Sequence, residues 1–388
     1  METYFDPRVS HEAMRHIAPG IMDDASGFRA IATRDYLLRR GFLPGNIVRY
    51  CYRPFDVRWL YWEPETGLLD RKREEYFPQV FVGNISIAAV QQNRKDFDPP
   101  IVTSWLCCSH VIERGANVFP LYLRATGQQS LFDDVVPNEP TANLSDAARD
   151  YLSALEANEQ DLFYHTLAVL HAPAYREENA GALRQDWPRV PLPGSRDALL
   201  ASAALGRQIA ALLDTETDVP GVTKGSVRAD LRLIGPIHHV EGRQLRPEAG
   251  ELDVTAGWGH GGKGGVTMPG RGKAMEREYT PLELAAFAEG ATALGMTLDD
   301  ALACLGKTTR DVYLNGVACW ANIPAKVWAY TIGGYQVMKK WLSYRERGLL
   351  GRSLTVEEVR EVTHMARRIA AILLLAPALD NNYGCIAR

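Results

Sequence analysis

The sequence lacks the features that mark membrane, secreted and metal-binding proteins. Its longest apolar run, Ile369–Ala378, is the length of a buried helix and is too short to span a bilayer. The N-terminus has no signal-peptide pattern, because Asp6, Arg8 and His11 interrupt it. The six cysteines are not spaced as zinc ligands. These absences favour a cytoplasmic protein with reduced thiols.

Catalytic motifs are also scarce. The chain contains no nucleophile elbow, zincin motif or dinucleotide-binding fingerprint. Asp98-Pro-Pro-Ile101 comes close to the Asp/Asn-Pro-Pro-aromatic tetrad of amino-methyltransferases, but isoleucine cannot stack on a flipped base, so we predict a turn. No glycine-rich strand–turn–helix for S-adenosylmethionine is present. Whether the chain is an enzyme stays uncertain from its residues, and neither a metal nor a cofactor is predicted for it.

A glycine-rich stretch imitates a phosphate-binding loop without completing one. Eight of the seventeen residues from Gly257 to Lys273 are glycine, and Gly257–Gly264 nearly spells G-x-x-x-x-G-K-[ST]. Gly264 replaces the hydroxyl residue that would hold Mg²⁺, and Pro269 breaks the helix that should follow. We predict a loop whose amides and cations approach a phosphate backbone, although a plain glycine-rich turn explains the same pattern. Its candidate contact residues are Trp258, His260, Lys263, Arg271 and Lys273.

The charge balance is unfavourable for a nucleic-acid-binding protein as a whole, but it is segregated along the chain. The net charge is −4, whereas DNA binding draws its non-specific affinity from cations. Residues 34–73 carry nine Lys/Arg against five Asp/Glu, and residues 326–352 carry six against one. Residues 128–161 hold eight acids and one arginine. This segregation permits a basic face on an acidic protein.

The stretch Arg49–Trp62 interleaves six aromatic residues with three arginines in fourteen positions. Planar cations beside rings suit stacking and two-pronged recognition of phosphates or guanine edges. The alternative interpretation is a half-buried strand whose arginines pair with Asp56 and nearby acids. We predict one strand over Ile47–Trp62, followed by a turn at Glu63–Gly67 and a basic cluster at Arg71, Lys72 and Arg73.

The predicted fold class is α+β, with a β-rich N-terminal recognition part, 1–123, an acidic linker, 124–144, and a mostly helical part, 145–388. The helical part contains a Gly-rich β/loop insertion at 218–279. Helices are predicted from a Ser145 or Asp146 cap to Pro173, and over Leu199–Leu213, Pro281–Leu294, Leu298–Leu305, Tyr335–Tyr344 and Val356–Leu375. Thr355 and Glu358 predict a capping box for the last helix. The second strand pattern, Gln79–Val90, leads into the polar residues Gln91, Gln92, Asn93, Arg94 and Lys95. These side-chain types read base edges, although a solvated loop has the same composition.

Several of these motifs together resemble a known family. They are Tyr52-Arg-Pro-Phe-Asp56 with Arg58-Trp59 and Tyr61, the basic residues 71–73, Gly83-Asn84, Phe119–Leu123, Leu170–Arg176 with Pro188–Pro191, Gly257–His260 and Trp328–Gln336. In this order, from Tyr4 to Tyr383, the chain resembles the C-terminal specificity region of type ISP restriction-modification enzymes. Looser versions occur in single-chain type IIG enzymes.

The resemblance implies a target-recognition domain that reads an asymmetric sequence in double-stranded DNA for phage defence. It also implies that nuclease, helicase-like ATPase and adenine methyltransferase activities lie in other domains, where S-adenosylmethionine, ATP and Mg²⁺ are expected. We predict that the cations of 71–73, 263–273 and 339–340 contact phosphates, while Arg58 and 91–95 read bases. The cations of the last range are Lys339 and Lys340, and the remaining candidate contacts are Arg53 and Asn84.

Two other functions fit the same sequence. The chain is either part of an adenine-specific DNA methyltransferase whose catalytic half lies elsewhere, or a docking subunit with little direct DNA contact. A hydrophobic patch at Met1–Gly41 without a continuous basic groove would favour the docking subunit.

Overall fold

The computed structural model describes residues 1–25, 27–69, 76–91, 97–112, 115–125, 139–263 and 266–387. The fold is α+β, as predicted, with several small sheets and no closed barrel among the described residues. The helices are α1 (His11–Ile17), α2 (Ala30–Arg40), α3 (Asp146–Ala154), α4 (Glu159–His171), α5 (Pro173–Glu178), α6 (Ala180–Leu183), α7 (Arg196–Leu213), α8 (Ala229–Arg232), α9 (Pro281–Ala293), α10 (Leu298–Leu305), α11 (Ala325–Ala329), α12 (Val337–Ser343), α13 (Arg347–Leu350), α14 (Val356–Leu374) and α15 (Ala376–Ile386).

The strands are short and form separate sheets. They are β1 (Ile47–Arg53), β2 (Asp56–Tyr61), β3 (Ser86–Ala89), β4 (Ile101–Thr103), β5 (Leu106–Cys107), β6 (Asn117–Pro120), β7 (Tyr122–Leu123), β8 (Thr141–Ala142), β9 (Ile237–His239), β10 (Gly259–Gly261), β11 (Thr267–Pro269), β12 (Ala274–Arg277), β13 (Thr309–Tyr313), β14 (Ala318–Pro324), β15 (Thr331–Ile332) and β16 (Tyr335–Gln336). The larger sheets have the orders β2-β1-β5, β4-β3-β6 and β12-β13-β14-β9.

The aromatic stretch is a hairpin, which corrects the prediction of one continuous strand over Ile47–Trp62. The chain reverses at Pro54-Phe55, so that β1 and β2 pair antiparallel. Proline cannot donate a ladder hydrogen bond, and Phe55 has a φ of 60°, the left-handed conformation of a tight turn. The reversal brings Arg58 opposite Tyr50 and Trp59 opposite Arg49.

Side-chain caps begin several of the helices, including the two longest. Ser145 caps α3, as predicted, but the helix ends at Ala154 instead of continuing to Pro173. Glu156 takes a φ of 49°, and Asn158 with Asp161 then forms the capping box that starts α4. The capping box predicted for α14 is confirmed.

Helices α14 and α15 pack the C-terminus into the core. The span Val356–Ile386 is apolar and long enough to cross a membrane, but 56% of its most apolar window is buried inside the protein, as in the core helix of a soluble protein. Arg368, which the sequence analysis did not place in the core, is buried and donates from Nη1 to the Ala211 carbonyl over 2.8 Å.

One core cluster includes residues from Cys51 to Tyr383, and a small second cluster contains Tyr4, Met14, Met22 and Leu37. The three-part domain division stays a prediction.

The Asp98-Pro-Pro-Ile101 segment, which lies within the described residues, is an irregular connection that leads into β4 and has no turn, which corrects the prediction of a turn there. The Asp98 carboxylate accepts hydrogen bonds from the Thr331 hydroxyl over 3.0 Å and from the Gly334 amide over 2.7 Å. The buried His171 ring bonds through Nε2 to the Pro100 carbonyl over 2.9 Å. Burial lowers the pKa of His171 to about 3, so the ring is neutral and Nε2 is the donor.

His171 makes the stability of the fold depend on pH. Below its ordinary pKa of 6.5 the unfolded chain binds a proton that the folded chain does not, so stability falls as pH decreases from 6.5 towards 3. We expect a loss from this residue of about 1.2 kcal/mol between pH 6 and pH 5. Urea unfolding of the wild type and of His171→Gln, which keeps a donor but does not titrate, measures this difference. Equal pH slopes in the two proteins would contradict the assignment.

Candidate nucleic-acid interface

The predicted contact residues that the structure brings together surround helix α12. This helix buries Val337, Met338, Trp341 and Leu342, which is an amphipathic pattern. Lys339 and Lys340 are left half-exposed on its other side. The residues that follow the helix, 344–346, contact both the β1–β2 hairpin and the glycine-rich segment.

Arg58 of β2 is held by a buried carboxylate. Its Nε donates to Asp56 Oδ1 over 3.0 Å and its Nη2 donates to Asp56 Oδ2 over 2.6 Å. Asp56 also accepts from Arg345 Nη2 over 2.9 Å. The side chains of Asp56 and Arg345 are 2% and 9% exposed, whereas that of Arg58 is 36% exposed. One buried acid therefore orients two arginines, and only one of them reaches solvent appreciably.

This triad keeps its charges and carries a net charge of +1. Burial alone would raise the pKa of Asp56, but Arg345 and Arg58 together hold it below its usual range. Burial likewise opposes the charge of Arg58, and the hydrogen bonds to Asp56 outweigh it and raise the pKa of Arg58. The pairing of Arg58 with Asp56 agrees with the alternative interpretation of the sequence, and the exposed part of Arg58 leaves room for recognition as well.

Two tyrosine rings lie beside Arg58, and a lysine contacts one of them. Its guanidinium carbon lies 4.1 Å from the ring centre of Tyr52 and 5.1 Å from that of Tyr344. Lys340 Nζ lies 4.9 Å from the Tyr344 ring and 4.7 Å from the Tyr335 ring. We call Arg58, Lys340, Tyr52, Tyr335 and Tyr344 the cation–aromatic cluster. Clusters of aromatic rings and cations bind nucleic acids and other planar or anionic groups.

Arg53, at the end of β1, belongs to the same region but has structural bonds. Its Nη1 donates to the Tyr52 carbonyl over 3.1 Å and also donates to the His110 carbonyl. Its guanidinium carbon lies 4.9 Å from the Tyr52 ring centre. Arg53 therefore supports the Tyr52 side of the cation–aromatic cluster.

The glycine-rich segment is a β10–β11 hairpin that packs against the end of α12. Gly259 is required there, because a Cβ atom would lie 2.0 Å from the Ser343 carbonyl oxygen. The Glu346 carboxylate accepts hydrogen bonds from the Gly257 amide over 3.2 Å and from the Trp258 amide over 2.8 Å. The hairpin is thus attached to the same four-residue segment, 343–346, that holds Arg58 through Arg345.

The cations predicted on this hairpin are exposed, and its tryptophan is not. His260, Lys263, Arg271 and Lys273 lie on the surface, and Lys273 Nζ is 4.0 Å from the Tyr313 ring centre. Trp258 is 1% exposed, and its indole donates to the Tyr313 carbonyl over 2.8 Å. Trp258 therefore supports the hairpin from beneath, which corrects its prediction as a contact residue.

Two other predicted contacts have structural partners. Asn84 is 4% exposed, donates to the Gln79 and Tyr122 carbonyls, and accepts from the Ile85 and Tyr122 amides. Its amide is fully used inside the protein, so Asn84 is removed from the candidate contacts. Gln91 is exposed and donates to Asp186 over 3.0 Å. Arg71, Lys72, Arg73, Gln92, Asn93, Arg94 and Lys95 lie outside the described residues.

The sequence analysis missed Tyr335, Tyr344 and Arg345 as members or supports of the site. Arg345 lies 289 residues from Asp56 along the chain, so no local pattern connects them. The available signal was the excess of cations in residues 326–352, which contains Arg345 but does not distinguish a buried cation from a surface one.

A separate apolar groove of about 1150 Å³ lies beside the N-terminal residues. Its lining includes Ile21, Phe28, Phe42, Trp59 and Leu68. Trp59 is 67% exposed, which is high for a residue of its size. This is the kind of hydrophobic patch that the docking-subunit alternative expects near Met1–Gly41.

The cations and rings of the cluster are suited to binding nucleic acids, and the sequence identifies the family. Residues 26–371 match the model of the Type ISP C-terminal specificity domain. The chain belongs to this family, as its motifs predict. No curated protein matches the sequence.

Several solved structures share the fold, among them the following three. A DrdV–DNA complex determined by cryo-EM superposes with a TM-score of 0.55 at 21% identity, over 98% of this chain and 32% of that chain. A nuclease-deletion mutant of the Type ISP restriction-modification enzyme LlaGI, in complex with a DNA substrate mimic, superposes with a TM-score of 0.51 at 16% identity, over 98% of this chain and 30% of that chain. The ATP-dependent Type ISP restriction-modification enzyme LlaBIII, bound to DNA, superposes with a TM-score of 0.50 at 14% identity, over 98% of this chain and 21% of that chain. The chain therefore spans about a third or less of each solved chain.

Proposed function

We propose that this chain is the target-recognition domain of a restriction-modification system and binds a specific sequence in double-stranded DNA. The observation that carries the proposal is the cation–aromatic cluster, in which Arg58 is oriented by a buried carboxylate and lies beside two tyrosine rings. Oriented arginines read base edges, whereas exposed lysines such as Lys263 neutralise phosphates. Membership of a specificity-domain family and the DNA in the three related structures support this assignment.

The partners of the chain follow from the size of its structural relatives. Because it spans at most about a third of those chains, the catalytic steps belong to other domains, on the same polypeptide or on another. These domains would carry nuclease, helicase-like ATPase and adenine methyltransferase activities, and they would bind S-adenosylmethionine, ATP and Mg²⁺. The proposed location is the cytoplasm, where the DNA target and reduced thiols are found.

Selection from random duplexes tests the proposal. The purified chain is incubated with a pool of random-sequence duplexes, from low to physiological salt, and the bound fraction is sequenced. We expect enrichment of one asymmetric site and an affinity that falls steeply as salt increases. Binding without enrichment would show that recognition requires the remaining domains. No binding even at low salt would overturn direct DNA recognition by this chain.

The exposed cations of the glycine-rich hairpin are expected to contribute to affinity but not to sequence preference. In Lys263→Gln/Arg271→Gln, the slope of log K against log salt should decrease by roughly 2, about 1 for each lost phosphate contact. The enriched sequence should stay the same. The matched control is Lys224→Gln, because Lys224 is an exposed cation that pairs with Asp218 over 3.1 Å. An equal change of slope in the control would contradict the assignment.

The apolar groove favours a second function alongside the first. An open groove lined by Phe28, Phe42 and Trp59 is suited to packing against another protein domain. Trp59→Ser should weaken association with the catalytic domains and leave selection of DNA by the isolated chain unchanged. Loss of DNA selection in this variant would place Trp59 in the DNA interface instead.

A further inference from the structure

We propose that Arg58 reads a guanine in the major groove, with Asp56 and Arg345 as the residues that position it. This inference rests on the proposed function and specifies the chemistry of one contact: the end of the Arg58 guanidinium donates two parallel hydrogen bonds to guanine O6 and N7.

The hydrogen bonds of Arg58 leave the required end free. A guanidinium has a side edge, formed by Nε and one Nη, and an end edge, formed by the two Nη groups. In Arg58 the side edge is fully occupied, because Nε and Nη2 donate to the two oxygens of Asp56. Nη1 donates to no described residue. Among the described residues, Nη1 of Arg58 is not one of the polar atoms that are buried without a partner. This nitrogen therefore contacts solvent.

Two tyrosine rings restrict the guanidinium from one side. The Tyr52 and Tyr344 ring centres lie 4.1 and 5.1 Å from its carbon, and the two rings contact each other edge to face. Burial raises the pKa of Tyr52 to about 12, so that ring stays neutral beside the cation at physiological pH. A side chain held by a carboxylate at one edge and by rings beside it loses little conformational freedom when it binds. Its end edge is therefore presented in one orientation.

The second arginine holds this arrangement from within the protein. Arg345 donates through Nη2 to Asp56 Oδ1, the oxygen that also accepts from Arg58 Nε. Its guanidinium carbon lies 3.6 Å from the ring centre of Trp341 in α12. Asp56 is thus fixed from the α12 side, and Arg345 acts on DNA only through Asp56. Arg345 and Asp56 are positioning residues.

A base contact fits this arrangement better than a phosphate contact does. The Asp56 triad keeps a charge of +1, which attracts either kind of acceptor, but its hydrogen bonds fix the direction of the remaining Arg58 donors. Directional donors discriminate between base edges, whereas a phosphate accepts hydrogen bonds from many directions. Guanine is the base whose major-groove edge presents two neighbouring acceptors, O6 and N7. Adenine presents a donor beside its acceptor, so one of the two hydrogen bonds is lost there.

The test compares Arg58→Lys with the wild type on the site enriched from the random pool. Lysine keeps the charge but has no planar pair of donors. We expect Arg58→Lys to lose preference for guanine at one position by about 5- to 150-fold, equivalent to about 1–3 kcal/mol, and to keep the preferences elsewhere. The matched control is Arg271→Lys, an exposed arginine of the glycine-rich hairpin, which should keep the preference at every position. A uniform loss of affinity for all sequences in Arg58→Lys, or no change, would overturn the base contact.

A second measurement detects a guanine contact in the wild-type chain, and a comparison with Arg58→Lys then assigns this contact to Arg58. Each guanine of the enriched site is replaced in turn by 7-deazaguanine, which lacks the N7 acceptor. We expect one guanine at which the replacement weakens binding by the wild type but not by Arg58→Lys. Enrichment of a site in which no guanine responds would overturn this inference and leave the proposed function standing, whereas failure of the wild type to enrich any site would overturn both.

Discussion

Replacing Asp56 by alanine is expected to lower the free energy of unfolding by about 3–5 kcal/mol. The carboxylate is 2% exposed and accepts hydrogen bonds from both Arg58 and Arg345. Its removal leaves the Arg345 guanidinium, 9% exposed, without its partner in a region that excludes water. The penalty comes from this unpaired buried charge more than from the loss of the attraction itself.

Urea unfolding at neutral pH measures this effect. The matched control is Asp218→Ala, which removes an ion pair to Lys224 whose side chains are 52% and 71% exposed. The control should change stability by less than about 1 kcal/mol, because solvent screens exposed pairs. Similar losses in the two variants would show that the Asp56 triad contributes no more than a surface ion pair.

Replacing Gly206 by alanine is expected to destabilise the fold by about 3 kcal/mol or more. Gly206 lies in α7, where that helix crosses α4, and a Cβ atom at this position would be 1.8 Å from the Tyr164 carbonyl oxygen. Backbone atoms cannot move away as a flexible side chain does, so the two helices must separate. In an isolated helix, alanine is more stabilising than glycine by about 0.5–1 kcal/mol. A loss of stability in Gly206→Ala would therefore come from the close approach of the two helices.

Gly181→Ala is the control for the crossing. Gly181 is also helical, in α6, but a Cβ atom there meets nothing within 4 Å. Thermal unfolding should show an unchanged or slightly higher stability for Gly181→Ala and a clear decrease for Gly206→Ala. Equal behaviour of the two variants would mean that α4 and α7 tolerate a wider separation.

The helices were predictable because their signals are local. Thr355 and Glu358 form the capping box of α14, and Leu298–Leu305 is α10 with its predicted bounds. The break between α3 and α4, which the sequence analysis missed, also has a local cause, because Asn158 caps a new helix. The leucine periodicity continues across this break and hides the break in the sequence. Strands were harder, because the alternation of residues 47–62 continues across the reversal at Pro54-Phe55.

The site was predictable only in part. Arg58 and Lys340 were selected from local composition, and the structure brings both to the Tyr344 ring. Asn84 and Trp258 were selected for their chemistry, but both are buried and hydrogen-bonded to backbone groups. A sequence motif shows which side chain is present at a position, and only the packing of distant segments decides whether it faces the solvent or the core.

The short segment 343–346 constrains how a protein of this kind can evolve a new target. Ser343 contacts Gly259, Arg345 binds Asp56 and Glu346 binds the Trp258 amide, so neighbouring residues serve different partners. Insertion or deletion of one residue would exchange these partners and disrupt both hairpins together. New specificities should therefore arise by substitution at exposed positions such as Arg58, while the length of this segment stays constant among descendants of the chain.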